Sequence, residues 1–432
     1  MPELTKVTIV IPVRNGRRFL AACLGSLAAQ QAEAPELAVS IVVVDNASID
    51  GSAGWVAQHA PHITLIRNQG NLGFAGGCNQ GLAAAPADVA ILLNQDTQVH
   101  PGWLRALVGA FADPTVGVAG CKIYYPDGTT LQHAGAFVQS PQHFGIHHHQ
   151  HEPDTGQADE SRPVEWVTGA AFAIRRAVID QIGLLDEGFW PGYFEDMDYC
   201  LRARAAGFQV WYCAQATLTH QESASSIDHE SLQRFYHRGR LRCALKHMAP
   251  QAWVDTFMAA ERVDPHWQTP ARQSAYWDAL VAAPVLLREF RQASADEIAT
   301  VTDALAQLVG GYGHGPTFDE TEPAPFTEIV FPASAPVIGP LLSNVRQFWY
   351  NVAARWGDRH LQQQQAAANQ LLLARIRALQ QHIDQLQRQN QLLQRALDQQ
   401  ALHQAALGQQ MAQMQQDFNH AITTAAGDGD AQ

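Results

Sequence analysis

Three acidic side chains crowd the segment Glu195-Asp196-Met197-Asp198, directly after the aromatic run Phe189-Trp190-Pro191-Gly192-Tyr193-Phe194. Aromatic rings stack on sugar faces, and a carboxylate beside them can take the proton of an attacking hydroxyl. The plainer role for acids at a helix start is to answer the helix dipole. Other polar groups stand at the ends of β-branched runs. Asp45 follows the run 39–44 and precedes Asn46-Ala47-Ser48-Ile49-Asp50-Gly51-Ser52. There Asp50 and Ser52 read as helix caps, which leaves Asp45 to accept from a ribose or a base edge. Asp96 follows the run 89–93 in Asn94-Gln95-Asp96-Thr97, either as a ligand group or as a cap before Pro101. Pro12 and Asn15 close the first run, 7–11. The stretch from Asn68 to Gly81 is glycine-rich but is neither GxGxxG nor a Walker loop, since it has no lysine. Its glycines permit close approach of a ligand or of a neighbouring strand.

The apolar pattern indicates what must hold these groups. Runs 7–11, 39–44, 63–66, 89–93 and 116–123 are short and continuous, with amphipathic stretches between them. They predict parallel strands buried on both faces of an α/β layered domain. In open sheets of this class ligands gather at the carboxyl ends of strands, where Pro12, Asn15, Asp45 and Asp96 fall. Residues 125–165 read as loop, and the histidine-rich stretch 143–151 as a mobile segment suited to closing over a ligand rather than to binding metal. A helix is predicted over 197–206 and a strand over 208–212. Residues 228–312 read as a helical extension broken at Pro250, Pro265, Pro270 and Pro284. A Pro/Gly-rich linker follows at 313–340, then an amphipathic helix and coiled coil over 341–422, and a disordered tail at 423–432.

The coiled coil rests on heptads at 369–418: Asn369, Ile376, Ile383, Asn390 and Leu397 at a, with Leu372, Leu379, Leu386 and Leu393 at d. Ile at a with Leu at d favours two parallel strands, and Asn at a fixes register; a helix folded back on its own chain is the alternative. The net charge is 28 − 41 = −13, which argues against a surface built to neutralise nucleic-acid phosphates. Six cysteines without a CxxC pair read as reduced thiols, as in a cytoplasmic protein. Neither a signal peptide nor an apolar run long enough to span a bilayer is expected.

In order, the chain reads strand-Pro-x-x-Asn, Asp-Asn-x-Ser-x-Asp-Gly-Ser, Asn-x-Gly-Phe-Ala-x-Gly-x-Asn-x-Gly, Leu-Asn-x-Asp-Thr, Gly-Ala-x3-Ile-Arg-Arg and Glu-Asp-x-Asp-x-Cys-Leu-Arg. This series resembles the family 2 glycosyltransferases of GT-A fold, in particular the rhamnosyltransferase-like branch of bacterial surface-polysaccharide biosynthesis. The resemblance covers about residues 5–225. It implies a GT-A domain at 1–227, a Rossmann-like nucleotide-sugar-binding sheet flanked by helices, followed by the helical region and the coiled coil. It implies an inverting, nucleotide-sugar-dependent transferase, with rhamnose from dTDP-rhamnose as the first donor to consider and a hydroxyl of a growing cell-surface glycan as acceptor. Asp45 would hold the nucleobase in a pocket lined by Pro12 and Asn15, with Asn71 and Asn94 also on the nucleotide sugar. Asp96 and His220 would hold Mg²⁺ or Mn²⁺. Asp196 would be the general base, and Trp166 and Glu195 would meet the acceptor. Asn94 stands where the family's DxD pattern has its first acid, which brings no charge to the metal. Implied partners are the donor, a glycan or lipid-linked glycan acceptor, a second copy through the coiled coil, and peripheral contact with the inner face of the membrane. A non-catalytic nucleotide-sugar-binding scaffold is the rival class, disfavoured by the intact Asp96, Glu195 and Asp196. A nucleotidyltransferase would want an early basic glycine loop, which is missing. From the heptads, the full chain is expected to run as a dimer by mass in solution and a chain ending near Val330 as a monomer; a full-length monomer at micromolar concentration would leave only the folded-back helix.

Overall fold

The computed structural model describes residues 5–221, 229–264 and 269–310. The first four β-branched runs form parallel strands: β1 (Thr5–Val13), β2 (Leu37–Asp45), β3 (Thr64–Arg67) and β4 (Val89–Leu93), in spatial order β3-β2-β1-β4. The crossovers are α1 (Leu20–Glu33), α2 (Ser52–His59) and α3 (Gly73–Ala84). Alternation along β1 sends Ile9, Ile11 and Val13 into one core with Leu20, Leu27 and Trp103. Val10 joins Val42, Val44, Cys78 and Leu82 on the opposite face. Both faces are buried, as the continuous apolar runs require. At Gly81 a Cβ would stand 2.2 Å from Val10 Cγ1, so glycine lets α3 lie against β1. Of the two uses open to this glycine in the sequence, contact with a neighbouring strand is the one observed.

Beyond β4 the sheet becomes mixed, which corrects the all-parallel expectation. The chain continues through β5 (Thr97–Val99), α4 (Trp103–Gly109), β6 (Val116–Tyr124) and β7 (Leu131–His133). Then come the hairpin β8 (Ala136–Gln139) and β9 (Phe144–His147), the short β10 (Arg162–Pro163), and β11 (Ala171–Arg175). β11 inserts antiparallel between β4 and β6. Its first residue, Ala171, therefore faces Leu93, the last of β4. This reversal brings Gly169 and Ala170 alongside Asn94, whose N–H donates to Ala170 O at 3.0 Å. After α5 (Arg176–Ile182), a single turn at Glu187–Phe189 and α6 (Glu195–Ala205), β12 (Gln209–His220) runs parallel to β6. Its end pairs antiparallel with β5, setting His220 opposite Thr97. β12 extends well past the predicted 208–212; a register shift between Cys213 and Thr217 marks the polar Ala214-Gln215 interruption that hid the second half. The stretch 125–165, expected as loop, contains β7 to β10, and its histidines lie within or beside the β8–β9 hairpin.

The helical extension comprises α7 (His229–His247), α8 (Pro250–Ala252) passing through a π turn at Trp253–Phe257 into α9 (Met258–Val263), α10 (Pro270–Arg291) and α11 (Ala295–Gly310). Trp253, Phe257, Tyr276, Leu287 and Leu305 centre its core. Pro250 and Pro270 begin helices, where a missing N–H costs nothing. Pro284 lies inside α10, not at a break. The chain to Asp319 is one compact unit. No helix among the described residues is long and apolar enough to cross a membrane. All six cysteines are buried and unpaired, and burial pushes the Cys23 thiol up to about 12. The linker 313–340, the heptads 369–418 and the tail 423–432 lie outside the described residues.

A buried ionic cluster joins α7 to the sheet side of the unit. Asp198, fully buried on α6, meets Lys246 Nζ at 2.7 Å, His247 Nε2 at 2.8 Å and Arg202 Nε at 2.9 Å. Lys246 also reaches Asp186 Oδ2 at 2.7 Å, and Arg242 meets the same carboxylate at 2.8 Å. Burial alone would raise the Asp198 carboxyl; the His247 hydrogen bond and the Lys246 and Arg202 charges hold it far below the usual range instead. Asp198→Ala leaves buried Lys246 with Asp186 alone and removes the carboxylate partner of Arg202 and His247, and we expect a loss of about 3 kcal/mol in urea unfolding. Arg105→Ala breaks the exposed pair with Glu36 and should leave the midpoint nearly unchanged. Equal midpoints for the two variants would refute the special weight given to the cluster.

Candidate functional site

Polar groups gather where β1, β2, β4 and β12 end. Asp96 Oδ1 lies 3.3 Å from His220 Nε2, and the Asn94 amide Nδ2 is 3.2 Å from the same nitrogen. The other ring nitrogen, His220 Nδ1, is 2.8 Å from Gln132 Oε1 on β7. With Gln132 Oε1 as acceptor, Nδ1 carries the proton and Nε2 keeps its lone pair toward Asp96. The two atoms have roughly the ~3 Å spacing of neighbouring ligands on a cation bonded at about 2.1 Å. Asp96 and His220 thus fit a hard divalent cation. Among the described residues no group of three or more His, Cys, Asp or Glu side chains is placed to hold a metal ion. Asn94, expected on the nucleotide sugar, turns its amide nitrogen to His220.

At the end of β2, Asp45 is buried and accepts from Ser48 N at 3.2 Å through Oδ2. Its Oδ1 is buried with no hydrogen-bond partner. A buried acceptor left open costs free energy unless something donates to it, and Asp45 is the one predicted donor-pocket residue with a vacant atom of this kind. Pro12 lies half-buried on β1, opposite Val44 in register. Asn15 is committed to the loop beside it: its Oδ1 accepts from Ile49 N at 2.9 Å and its N–H donates to Ser48 Oγ at 3.0 Å. Arg14 and Gln95 tie the strand ends together, Gln95 Oε1 accepting from Arg14 N at 3.0 Å and Arg14 Nη1 donating to Asn46 O at 2.6 Å. Asp50 accepts from Ser52 N at 3.0 Å and from Arg17 N at 2.9 Å, but the residue capping α2 is Gly51, with no side-chain cap hydrogen bond, which corrects the reading of Asp50 and Ser52 as caps. Asn71 Oδ1 accepts from Gly73 N at 3.0 Å at the start of α3, and Asn71 O accepts from Trp190 Nε1 at 3.1 Å.

The acid pair is delivered by a strained turn. Tyr193 and Phe194 both hold left-handed backbone, at φ 78° and 73°, a cost that tertiary contacts must offset. Gly239 on α7 supplies them: a Cβ there would stand 2.5 Å from Tyr193 O. Asp196 Oδ2 accepts from Gly169 N at 2.7 Å and Oδ1 from Met197 N at 2.8 Å. Burial raises the Asp196 carboxyl above its ordinary range, the two amides opposing it. Burial, and then the Asp196 charge, raise Glu195 much further. Glu195 Oε2 is buried without a partner.

Both residues expected to meet the acceptor are buried. The Trp166 indole N–H donates to Phe137 O at 3.1 Å, and its ring meets His147 edge-on at 4.9 Å. It is a core residue of the β8–β9 hairpin, with no face left for a sugar. Glu195 is only 5% exposed, whereas the Trp190 and Tyr193 rings are 42% and 41% exposed. The 143–151 stretch is no free flap either. Gln142 O accepts from Arg240 Nη1 at 2.5 Å and Gln142 Nε2 donates to Asp264 at 3.2 Å, fastening the hairpin to the helical extension. Gln132 was not singled out from sequence, and Gly169 appeared only as the first residue of Gly-Ala-x3-Ile-Arg-Arg with no role attached, because their contributions depend on strand pairing and on a backbone amide.

Residues 8–183 match the family described as glycosyl transferase family 2. Over 45% of this chain and 70% of that protein, the sequence is 29% identical to N-acetylglucosaminyl-diphospho-decaprenol L-rhamnosyltransferase of Mycobacterium tuberculosis. Over 51% of this chain it is 30% identical to the O-antigen biosynthesis protein RfbC of Myxococcus xanthus, covering 18% of that protein. The chain spans half or less of the length of the first curated relatives it matches. Among solved structures, a mannosyltransferase from Pyrobaculum calidifontis in complex with GDP-Man and Mn²⁺ overlays with a TM-score of 0.43 at 17% identity, over 72% of this chain and 88% of that one.

The raised Glu195 gives a testable pH dependence. The folded state keeps a proton there that the unfolded chain releases near pH 4.3, so stability falls as pH rises above that value. The slope is at most about 1.4 kcal/mol per pH unit while the group titrates. Glu195→Gln should lose this slope, so that its melting temperature gains on wild type between pH 4 and pH 8. Parallel curves would show that Glu195 is not held protonated.

Proposed function

We propose, from the premise that residues 8–183 are a glycosyl transferase family 2 domain, that the chain moves a sugar from a nucleotide-sugar donor to an acceptor hydroxyl. The observation that carries this reading is the line of groups along one sheet edge. Asp45 Oδ1 is open at one end, Asp96 and His220 face each other farther along, and Asp196 is held at Gly169 beside the end of β4. Asp45 suits the imide N–H of a uracil- or thymine-type base, which donates to a carboxylate. Asp96 and His220 would hold Mg²⁺ or Mn²⁺, which neutralises the departing diphosphate. His220 is oriented for this by Gln132, and Asp96 is fixed beside it by the pairing of β5 with β12.

Asp196 is the base in this reading. Its amide partners from Gly169 and Met197 favour the ionised form, and burial makes that form more basic than an exposed carboxylate. Each oxygen retains a second lone pair, so an acceptor hydroxyl can still be engaged. A base that takes the hydroxyl proton while the diphosphate leaves the opposite side inverts the anomeric centre. We take rhamnose from dTDP-rhamnose as the donor to test first, supported by the name of the mycobacterial relative. A growing or lipid-linked cell-surface glycan is the acceptor class, met by a homodimer at the inner face of the membrane.

Asp196→Asn should lower turnover at least 100-fold while the Kd for the nucleotide sugar moves less than about threefold, because the amide keeps the shape and loses the base. More than a tenth of wild-type turnover would exclude Asp196 as base. Asp45→Ala should weaken nucleotide binding about tenfold, and His220→Ala should raise the Mg²⁺ or Mn²⁺ concentration required. Full activity after exhaustive chelation would remove Asp96 and His220 from a metal role.

A further inference from the structure

α7 carries Arg234, Arg238 and Arg242 one turn apart on a single face. The outer two are paired, Arg242 with Asp186 at 2.8 Å and Arg234 with Asp278 at 3.3 Å. Arg238, between them, is half-buried and makes no hydrogen bond or ion pair with any described residue. Its guanidinium carbon lies 5.9 Å from the Trp190 ring and 5.5 Å from the Phe235 ring, and those rings meet edge to face at 5.9 Å. Rings attract the charge but accept none of its five N–H groups in the plane of the fork. Burial lowers its proton affinity; Asp278 works against this, and Arg234 and Arg242 add to it. Trp190 is held in place by its bond to Asn71 O and precedes the turn that presents Asp196. The cation thus belongs to the aromatic side of the site, on different elements from Asp96 and His220.

We propose that Arg238, framed by Trp190 and Phe235, recognises a phosphate or diphosphate carried by the acceptor. A guanidinium fork binds phosphate oxygens in pairs, and the exposed Trp190 ring covers the apolar or sugar portion attached to that phosphate. This rests on Asp196 being the base, since Asp196 is what makes this the acceptor side. An acceptor with no phosphate would leave the guanidinium as it stands, half-buried and with no anion among the described residues in hydrogen-bonding reach.

The test uses the full chain with EDTA present, so that no cation bridges the probe, and calorimetry with farnesyl diphosphate and with inorganic pyrophosphate. Wild type should bind farnesyl diphosphate. Arg238→Gln should weaken it at least tenfold, and Arg238→Lys, which keeps the charge but not the fork, roughly threefold or more. Saturating dTDP or UDP should leave the probe in place. Binding by either variant within twofold of wild type overturns the proposal, and the lysine variant decides the matter if the glutamine variant does not fold. Displacement of the probe by dTDP or UDP also overturns it, because the arginine would then serve the donor diphosphate. A wild type that binds no nucleotide sugar with Mg²⁺ or Mn²⁺ overturns the glycosyltransferase reading itself, a different result from either of these.

Discussion

One buried carboxylate must be neutralised, and much of the molecule is arranged to do so. Asp198 has no exposure to water, and its charge persists only because Lys246, His247 and Arg202 close on it. Lys246 in turn needs Asp186, and Asp186 engages Arg242. The chain of alternating charges ties α6 to the last turns of α7 and to the turn at Glu187–Phe189. Because α6 begins with Glu195 and Asp196, the same cluster that holds the helices together also sets the height of the acid pair above the sheet. The helical extension is thus part of the scaffold that builds the site.

A second constraint is topological. Parallel strands alone would have left Gly169 and His220 far from the ends of β1, β2 and β4. The antiparallel entry of β11 turns the start of one strand toward the finish of its neighbour, and the end of β12 pairs with β5. Groups separated by 126 residues, such as Asn94 and His220, become hydrogen-bond partners. The two reversals bring groups from the second half of the sheet to the carboxyl ends of the first four strands.

Legibility from sequence follows from the range of the physics involved. The strands β1, β2, β4 and β6 were visible because burial on both faces writes a continuous apolar run; β3, at the end of the strand order with no buried residue, showed through its short β-branched run alone. Asp45 and Asp96 were visible because they stop such runs. Trp166 misled because an aromatic ring has the same letters in a hairpin core as on a sugar platform; only the carbonyl of Phe137 and the ring of His147 decide between them. The direction of β11 was unreadable, since Ala-Phe-Ala-Ile-Arg pairs as well either way. The histidine-rich stretch looked mobile from its flanking prolines, yet Arg240 and Asp264, about a hundred residues away, hold it. The burial of Glu195 was unreadable for a similar reason: adjacent acids at a helix start face different surroundings, and the backbone sends the first inward.

Gly239 offers a last lesson about where selectivity can be stored. The surface α7 shows to the Tyr193 carbonyl is a single hydrogen atom, and the turn resting on it has no slack, because its two residues already hold an unfavourable backbone. Any added methyl would lift the turn like a shim under a hinge, tilting the aromatic lip and the first acids of α6 together. A helix that touches no reacting atom thereby acts as a gauge block for the width of the cleft. A thicker residue at position 239 would move that lip and those acids together while changing none of them.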